Sequence, residues 1–253
     1  MNSKSKLPID LIMLTSANKS ALCKFTLSTW TKNLSAEKII IASNTIEKLD
    51  PPLSHKIIYV VGEKFGSRLR NALLKCVSKY VLIILDDYYL TSINQNEFKK
   101  IQTLLKNLSP FAIKLSNSNA ARISLFIPGY QNFVLLSNTG VGLLDTNPTI
   151  YDATKLKSII DPNESLWEHE INHSIRAIMK NYSVISNYKT IINYTEIVKG
   201  GLLWWSCRKY SYETKLKFMS LHQELKIKLV SMLKSLLIKI FGYDTLMKIK
   251  RKL

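Results

Sequence analysis

The stretch YVLIILDDYY, residues 80–89, runs through six uncharged residues and then meets two adjacent carboxylates, Asp86 and Asp87. An unbroken apolar run of this length fits a strand buried on both faces, as in a parallel sheet covered by helices. Ligands of such sheets bind beyond the carboxyl ends of the strands, which is where the two aspartates stand. Neighbouring carboxylates repel each other unless something offsets their charge. A divalent cation does so, and it can bridge to diphosphate oxygens. The plainer reading is a turn with two solvated aspartates; their position at the end of a buried strand favours a site.

Outward from this run, strands and helices alternate. DLIMLTS (10–16) reads as a first strand, and SALCKFTLSTWTKN (20–33) spaces Leu22, Phe25 and Trp30 as a helix face. KIIIASN (38–44) is a strand ending at Asn44, PPL (51–53) marks a turn, and KIIYVV (56–61) is a third strand. SRLRNALLKCV (67–77) sets Leu69, Leu73, Cys76 and Val77 on one helix face. This order predicts an α/β fold with a mostly parallel central sheet flanked by helices. Between 111 and 144, FAIKL, ISLFI, FVLL and VGLL read as short strands of a mixed region. DATKLKSII (152–160) reads as a helix, and SLWEHEINHSIRAIM (165–179) as another that packs Trp167, Ile171, Ile175 and Ile178.

The segment FGSRLRNALLKCVSKYVLIILDD (65–87) resembles the donor site of GT-A glycosyltransferases, whose fold is Rossmann-like. There a glycine, an Arg-Asn pair opening a helix and an apolar strand lead into an Asp-x-Asp-type metal motif. The matching residues are Gly66, Arg70, Asn71, Tyr80, Asp86 and Asp87. The chain resembles in particular the family 2-like enzymes of bacterial capsule and O-antigen synthesis. They follow an LDDYF-like motif with W-E-x-E, here Trp167-Glu168-His169-Glu170. The resemblance covers residues 8 to about 200. It implies metal-dependent, inverting transfer of a sugar from a nucleotide-sugar donor to a glycan or lipid-linked glycan. It implies Mn²⁺ or Mg²⁺ at Asp87, with Asp86 toward the ribose or a water of the ion. Thr15, Ser16, Asn44, Gly66, Arg68, Arg70 and Asn71 then line the nucleotide and its diphosphate. Glu170 is the implied general base, with Glu168 second. Two departures stand out: the motif is D-D-Y rather than D-x-D, and Asn44 replaces an acid that contacts the base or ribose in many relatives.

His169, Glu170 and His173 also spell H-E-x-x-H, the spacing of a zinc metallopeptidase helix, with Glu196 as a conceivable third ligand. Against that reading, Ser165-x-x-Glu168 is a capping box just after Pro162, so the helix starts one turn before His169. The box accounts for Glu168 structurally and leaves Glu170 unexplained. The peptidase reading also leaves the 65–87 motif without a role. On the transferase reading His173 is a partly exposed polar residue or an acceptor contact.

The net charge is +18, from 36 basic and 18 acidic residues, and it is concentrated late in the chain. From Lys199 onward there are thirteen basic and three acidic residues, 13 − 3 = +10. Phe218, Leu221, Leu225, Leu229, Met232, Leu233, Leu236 and Ile240 show helical spacing there, with Lys226, Lys228, Lys234 and Lys239 on or beside the other face. KGG (199–201) is the best boundary, giving a transferase domain at 1–200 and a basic amphipathic helical extension at 201–253. An anionic membrane surface ranks first as its partner. A helix docked on the main domain or in a homo-oligomer comes second. Nucleic acid is not expected, because arginine is sparse and aromatics are not interleaved. Trp204 and Trp205 suit a core or a membrane interface. No apolar run is long enough to span a bilayer and no signal peptide is read. Cys23, Cys76 and Cys207 are scattered, which suits a reducing compartment. The expected location is the cytoplasmic face of a bacterial inner membrane. A basic, non-enzymatic binding protein stays as a further alternative.

Overall fold

The computed structural model describes residues 5–6, 8–16, 19–45, 57–116, 124–136, 143–199 and 201–241. The chain divides into two compact units, Met1–Glu196 and Ile197–Leu253. In chain order the first contains β1 (Ile9–Leu14), α1 (Ser20–Asn33), β2 (Ile39–Ser43), β3 (Ile57–Val61), α2 (Phe65–Leu73) and β4 (Tyr80–Leu85). Next come β5 (Tyr88–Ile93), α3 (Gln95–Leu108), β6 (Ala112–Lys114), β7 (Ser124–Phe126), β8 (Phe133–Leu136) and β9 (Thr149–Asp152). Last are α4 (Ala153–Lys157), α5 (Leu166–Met179), β10 (Val184–Asn187) and β11 (Ile192–Glu196).

Nine strands form one sheet in the order β3-β2-β1-β4-β9-β6-β10-β8-β7. Only β8 and β9 run against the rest, so the sheet is mostly parallel, as the alternating pattern predicts. Its two faces account for the unbroken apolar runs. Ile9, Leu11 and Met13 of β1 pack on one side with Leu27 and Trp30 of α1 and Phe98 and Ile101 of α3. Ile12 and Leu14 pack on the other with Phe65 and Leu69 of α2, Leu156 of α4 and Ala177 of α5. β5 and β11 pair separately as an antiparallel ribbon beyond the end of β4.

Several elements differ from the sequence-based expectation. α3 is not among the predicted helices, although Asn94 caps it by accepting from the Glu97 amide and Phe98, Ile101, Leu104 and Leu105 share its buried face. The helix predicted through Val77 ends at Leu73, and Val77 is 65% exposed. The cause is Asp10, which is fully buried. Its carboxylate accepts from the amides of Val77 (2.7 Å), Ser78 (2.9 Å) and Lys38 (3.1 Å) and from the Ser78 hydroxyl (3.1 Å). That set of donors outweighs another helical turn and leads the chain into β4.

On α5 the predicted packing face is only partly used: Trp167 is 73% exposed and Ile175 is exposed, Ile178 packs half-buried on the core, and His169, His173, Ser174 and Ala177 face inward. The VGLL strand is not formed at Leu143 and Leu144, which are buried in a bend; residues 141–142 and the PPL turn lie outside the described residues.

The second unit holds a short hairpin (Val198–Lys199 with Leu202–Leu203), a 3-10 turn (Trp205–Tyr210), α6 (Ser211–Thr214) and α7 (Leu221–Phe241). Gly200 and residues 242–253, with their basic cluster, lie outside the described residues, as do the side chains of Lys234, Leu236, Lys239 and Ile240. Among the described residues no helix is long and apolar enough to cross a membrane.

Replacing Asp10 by Ala leaves three part-buried backbone amides without their protein partner. The expected loss is roughly 2–4 kcal/mol, read as a shift of the urea midpoint, with a smaller loss for Asp10→Asn, which keeps one acceptor oxygen.

Candidate active site

Parallel pairing of β1 with β4, from Ile9 opposite Tyr80 to Leu14 opposite Leu85, sets the residues that leave each strand side by side. Thr15 therefore meets Asp86. Its hydroxyl donates to Asp86 Oδ2 at 2.6 Å, and the Ser16 amide also bonds to that carboxylate. The Lys19 ammonium lies 3.8 Å from Asp86 Oδ1. Burial pushes the Asp86 carboxyl up, while Lys19, Thr15, the Ser16 amide and Arg68 pull it back. α1 fastens the turn itself: the Thr26 hydroxyl donates to the Asp86 carbonyl (2.5 Å) and the Trp30 indole to the Tyr88 carbonyl (2.8 Å).

Asp87 has less support: the Lys19 charge and its own backbone amide favour its carboxylate, against burial and two acids. Its Oδ1 is buried with no hydrogen-bond partner. Its pKa is pushed up to about 7, first by burial, then by Asp86 and Glu196. Glu196 arrives through the β5–β11 ribbon, where it stands opposite Tyr88. Asp86 and Glu196 act on Asp87 through their charge, but among the described residues no three acids, histidines or cysteines converge as a metal-binding group, so any cation here would need oxygens from a ligand as well. One or two such groups plus diphosphate oxygens make a sufficient protein share for Mg²⁺-type coordination.

The other residues expected from sequence to line a nucleotide divide. The half-buried Arg68 guanidinium donates to the Thr15 carbonyl (3.1 Å), and its Nε has no partner. Gly66 lies where α2 meets the loop before α5: a Cβ there would stand 2.0 Å from the Asp161 carbonyl oxygen, and its amide donates to the Glu164 carbonyl. Asn71 donates to the Val61 carbonyl (2.7 Å), tying α2 to the end of β3. Arg70 and Asn44 are exposed, Asn44 at the carboxyl end of β2, and Ser16 is half-buried.

At the start of α5, Glu168 and Ser165 form the capping box: the carboxylate takes the Ser165 amide (2.8 Å) and hydroxyl (2.7 Å). Those two bonds hold its carboxyl below the usual range. Glu170 instead reaches the 145–147 loop, where its Oε1 accepts from the Thr146 amide (3.1 Å) and hydroxyl (2.7 Å). Thr146 shares a further hydrogen bond with Tyr88, next to Asp87. Asn147 accepts from the Tyr194 hydroxyl (2.7 Å), and Asp145 pairs with the buried Lys114 (2.8 Å). The loop thus links Glu170 to the β5–β11 ribbon. Thr146, Tyr194 and Lys114 belong to no sequence motif, and Glu196, named from sequence only as a conceivable zinc ligand, is brought here by the β5–β11 pairing.

His169 and His173 are 4% and 2% exposed, so His173 is a core residue rather than the partly exposed one expected. Their rings stack at 4.5 Å against Phe65, Phe111 and Tyr151. His169 Nδ1 lies 3.5 Å from Glu164, too far for a strong hydrogen bond; Glu164 is instead gripped by Arg176 at 2.6 and 2.7 Å. Among the described residues no third acid, cysteine or histidine joins the pair in a metal-binding group, whereas catalytic zinc takes three protein ligands. The cavity beside them measures about 20 Å³, against the few hundred typical of a ligand pocket.

No family model and no curated protein matches the chain. Solved structures do. S. aureus TarS 1–349 superposes with a TM-score of 0.51 at 11% identity over 74% of this chain and 60% of that one. Its complex with UDP-GlcNAc gives 0.52 at 14% over 74% and 57%. UDP-glucose pyrophosphorylase complexed with UDP-glucose gives 0.49 at 10% over 74% and 93%. The TarS likeness is one of fold, a Rossmann-like, GT-A-like α/β architecture, and this chain spans about three-fifths of the TarS 1–349 length.

Burial lowers His169 to about 4 and His173 well below the ordinary histidine value of 6.5, where Arg176 also disfavours a proton on either ring. The stability tied to the neutral rings is therefore present above about pH 6.5 and lost as the pH falls toward 4. With both histidines changed to Gln, the variant is expected to lose less stability than wild type between pH 7 and pH 4, by about 3 kcal/mol on account of His169 alone. Urea unfolding across that range measures it; parallel pH profiles would refute the assignment.

Proposed function

We propose that this chain is a metal-dependent, inverting glycosyltransferase that moves a sugar from a nucleotide-sugar donor to a glycan hydroxyl in bacterial surface-polysaccharide assembly. The observation that carries the reading is Asp87: a carboxylate with a buried, unpartnered oxygen, lifted by Asp86 and Glu196, at the carboxyl end of a central parallel strand. The fold it shares with TarS, a protein solved with UDP-GlcNAc, supports a nucleotide-sugar as donor. The capsule and O-antigen character of the acceptor rests on the 167–170 motif.

Asp87 would hold the cation, with Asp86 kept in place behind it by Thr15 and Lys19. Bound there, Mn²⁺ or Mg²⁺ supplies positive charge to the leaving diphosphate. Arg68, whose Nε has no protein partner, adds a second positive group beside Thr15. Gly66 lets α2 close on the Asp161 loop, which places that arginine.

Glu170 is the base. Both Thr146 bonds fall on Oε1 and orient the carboxylate, so Oε2 takes the proton of the acceptor hydroxyl. The acceptor oxygen then bonds to the anomeric carbon as the sugar–phosphate bond breaks and the nucleoside diphosphate leaves with the electron pair. Displacement from the opposite face inverts the anomeric centre. Glu168, held by Ser165, serves the helix start.

The first test screens nucleoside diphosphates with and without Mn²⁺ by thermal shift, since a ligand at 100 times its Kd stabilises by about 2.7 kcal/mol. Asp87→Asn is expected to remove the Mn²⁺-dependent part of the shift and leave the melting temperature of the free protein unchanged or higher. Equal Mn²⁺ dependence in that variant excludes Asp87 as the ligand.

Glu170→Gln keeps an acceptor oxygen for Thr146 but cannot take a proton. Transfer is expected to fall about 10²–10⁴-fold with donor affinity retained. A fully active variant would move the base elsewhere. Release of pyrophosphate rather than a nucleoside diphosphate would replace glycosyl by nucleotidyl transfer.

A further inference from the structure

Helix α7 is seated within the second unit by its polar side. Glu224 is 3% exposed; its carboxylate accepts from the Ser206 amide (3.0 Å) and hydroxyl (3.0 Å) and pairs with Lys228. Ile227, one turn on, is half-buried. Beside that polar side, about a quarter turn round the helix, Leu221, Leu225, Leu229 and Met232 form a row at helical spacing. All four are exposed, Leu225 at 57% and Leu229 at 54%. A helix that buries its glutamate and turns its leucines outward is inverted with respect to a helix packed on its own core.

We propose that this outward face of α7 docks on an anionic phospholipid surface. Charge selects the occupant. The chain from Lys199 onward carries +10, so a second copy would bring two such segments together against their mutual repulsion. Anionic headgroups are attracted instead. Lys226 and Lys228 flank the leucine row and are both exposed; Lys228 is held by Glu224 and lies over Trp204, so Lys226 is the one whose stem can lie along the acyl boundary with its ammonium among phosphates. The unit also carries aromatic rings in contact with cations. The Arg208 guanidinium lies 4.5 Å over Trp205, Lys228 lies 5.7 Å over Trp204, and Trp205 meets the exposed Phe218 edge-on. Rings of this kind settle at the headgroup level of membranes. Nucleic acid would use the lysines but leave the leucine row in water.

The test is flotation of the full chain with vesicles of phosphatidylcholine alone or mixed with phosphatidylglycerol. Binding is expected to the anionic vesicles, to weaken with salt, and to fall at least about tenfold on neutral ones. Leu225→Asp with Leu229→Asp alters two exposed positions and is expected to abolish flotation with the melting temperature kept. Lys226→Ala is expected to weaken it roughly fivefold, the factor one lysine near an anionic surface is worth. Undiminished flotation of the leucine variant, or equal binding to both vesicles, overturns the proposal. So does a dimer, seen by light scattering, that the leucine variant dissociates while wild type ignores vesicles; that result assigns the face to a second copy. Salt-sensitive binding of a nucleic-acid duplex without vesicle binding overturns it as well.

Discussion

The parallel register of β1 on β4 is the constraint on which the site depends. Both strands are buried on both faces, so a one-residue slip would send every side chain to the wrong layer, and the two apolar cores on either side forbid it. With Leu14 held opposite Leu85, the residues that leave the sheet next are Thr15 and Asp86, and they meet within hydrogen-bond distance. α1 then fixes the turn through Thr26 and Trp30, which reach its carbonyls from the covering layer. The site's geometry is thus inherited from core packing rather than from contacts among the polar residues themselves.

The same pair of strands carries acids at both ends, and their surroundings give them opposite characters. Asp10, at the amino end of β1, collects three backbone amides and a hydroxyl and serves to redirect the chain after α2. Asp86 is held by a hydroxyl, an amide and a nearby lysine. Asp87 is half-buried beside two other acids, and its buried Oδ1 has no hydrogen-bond partner. Burial of an unpaired carboxylate costs stability, and a fold keeps such a group where a ligand can satisfy it. The cost gradient along these three aspartates, rather than the doublet as a string, is what marks Asp87.

Helix α5 shows how a motif can be divided by its environment. Its capping box and the Arg176 clasp on Glu164 set its start and rotation. That rotation sends His169 and His173 into an aromatic cluster, where neutral imidazoles pack as rings. Glu170, between them in sequence, lies on another side of the helix and meets Thr146. The same four-residue spacing that would align two zinc ligands here aligns two core residues. The difference lies in what faces them.

The amino-acid sequence by itself determined the α/β alternation, the mostly parallel sheet, the strand that ends at Asp86 and Asp87, and the capping box at Ser165 and Glu168. Each is a local property: apolar runs, helical spacing and a side chain three residues from its partner. Helix α3 was equally legible, with a capping Asn94 and an apolar face from Phe98 to Leu105. The tertiary structure alone decided which face of α5 is buried, because Trp167 and Ile175 are as apolar as a core needs and only the position of Phe111 and Tyr151 selects the histidines instead. It alone brought Glu196 to Asp87 and Thr146 to Glu170, contacts between residues 109 and 24 positions apart whose pairing is set by a β-ribbon and a loop. Electrostatic and hydrogen-bond partners of this kind depend on distance in space, and no spacing along the chain encodes it.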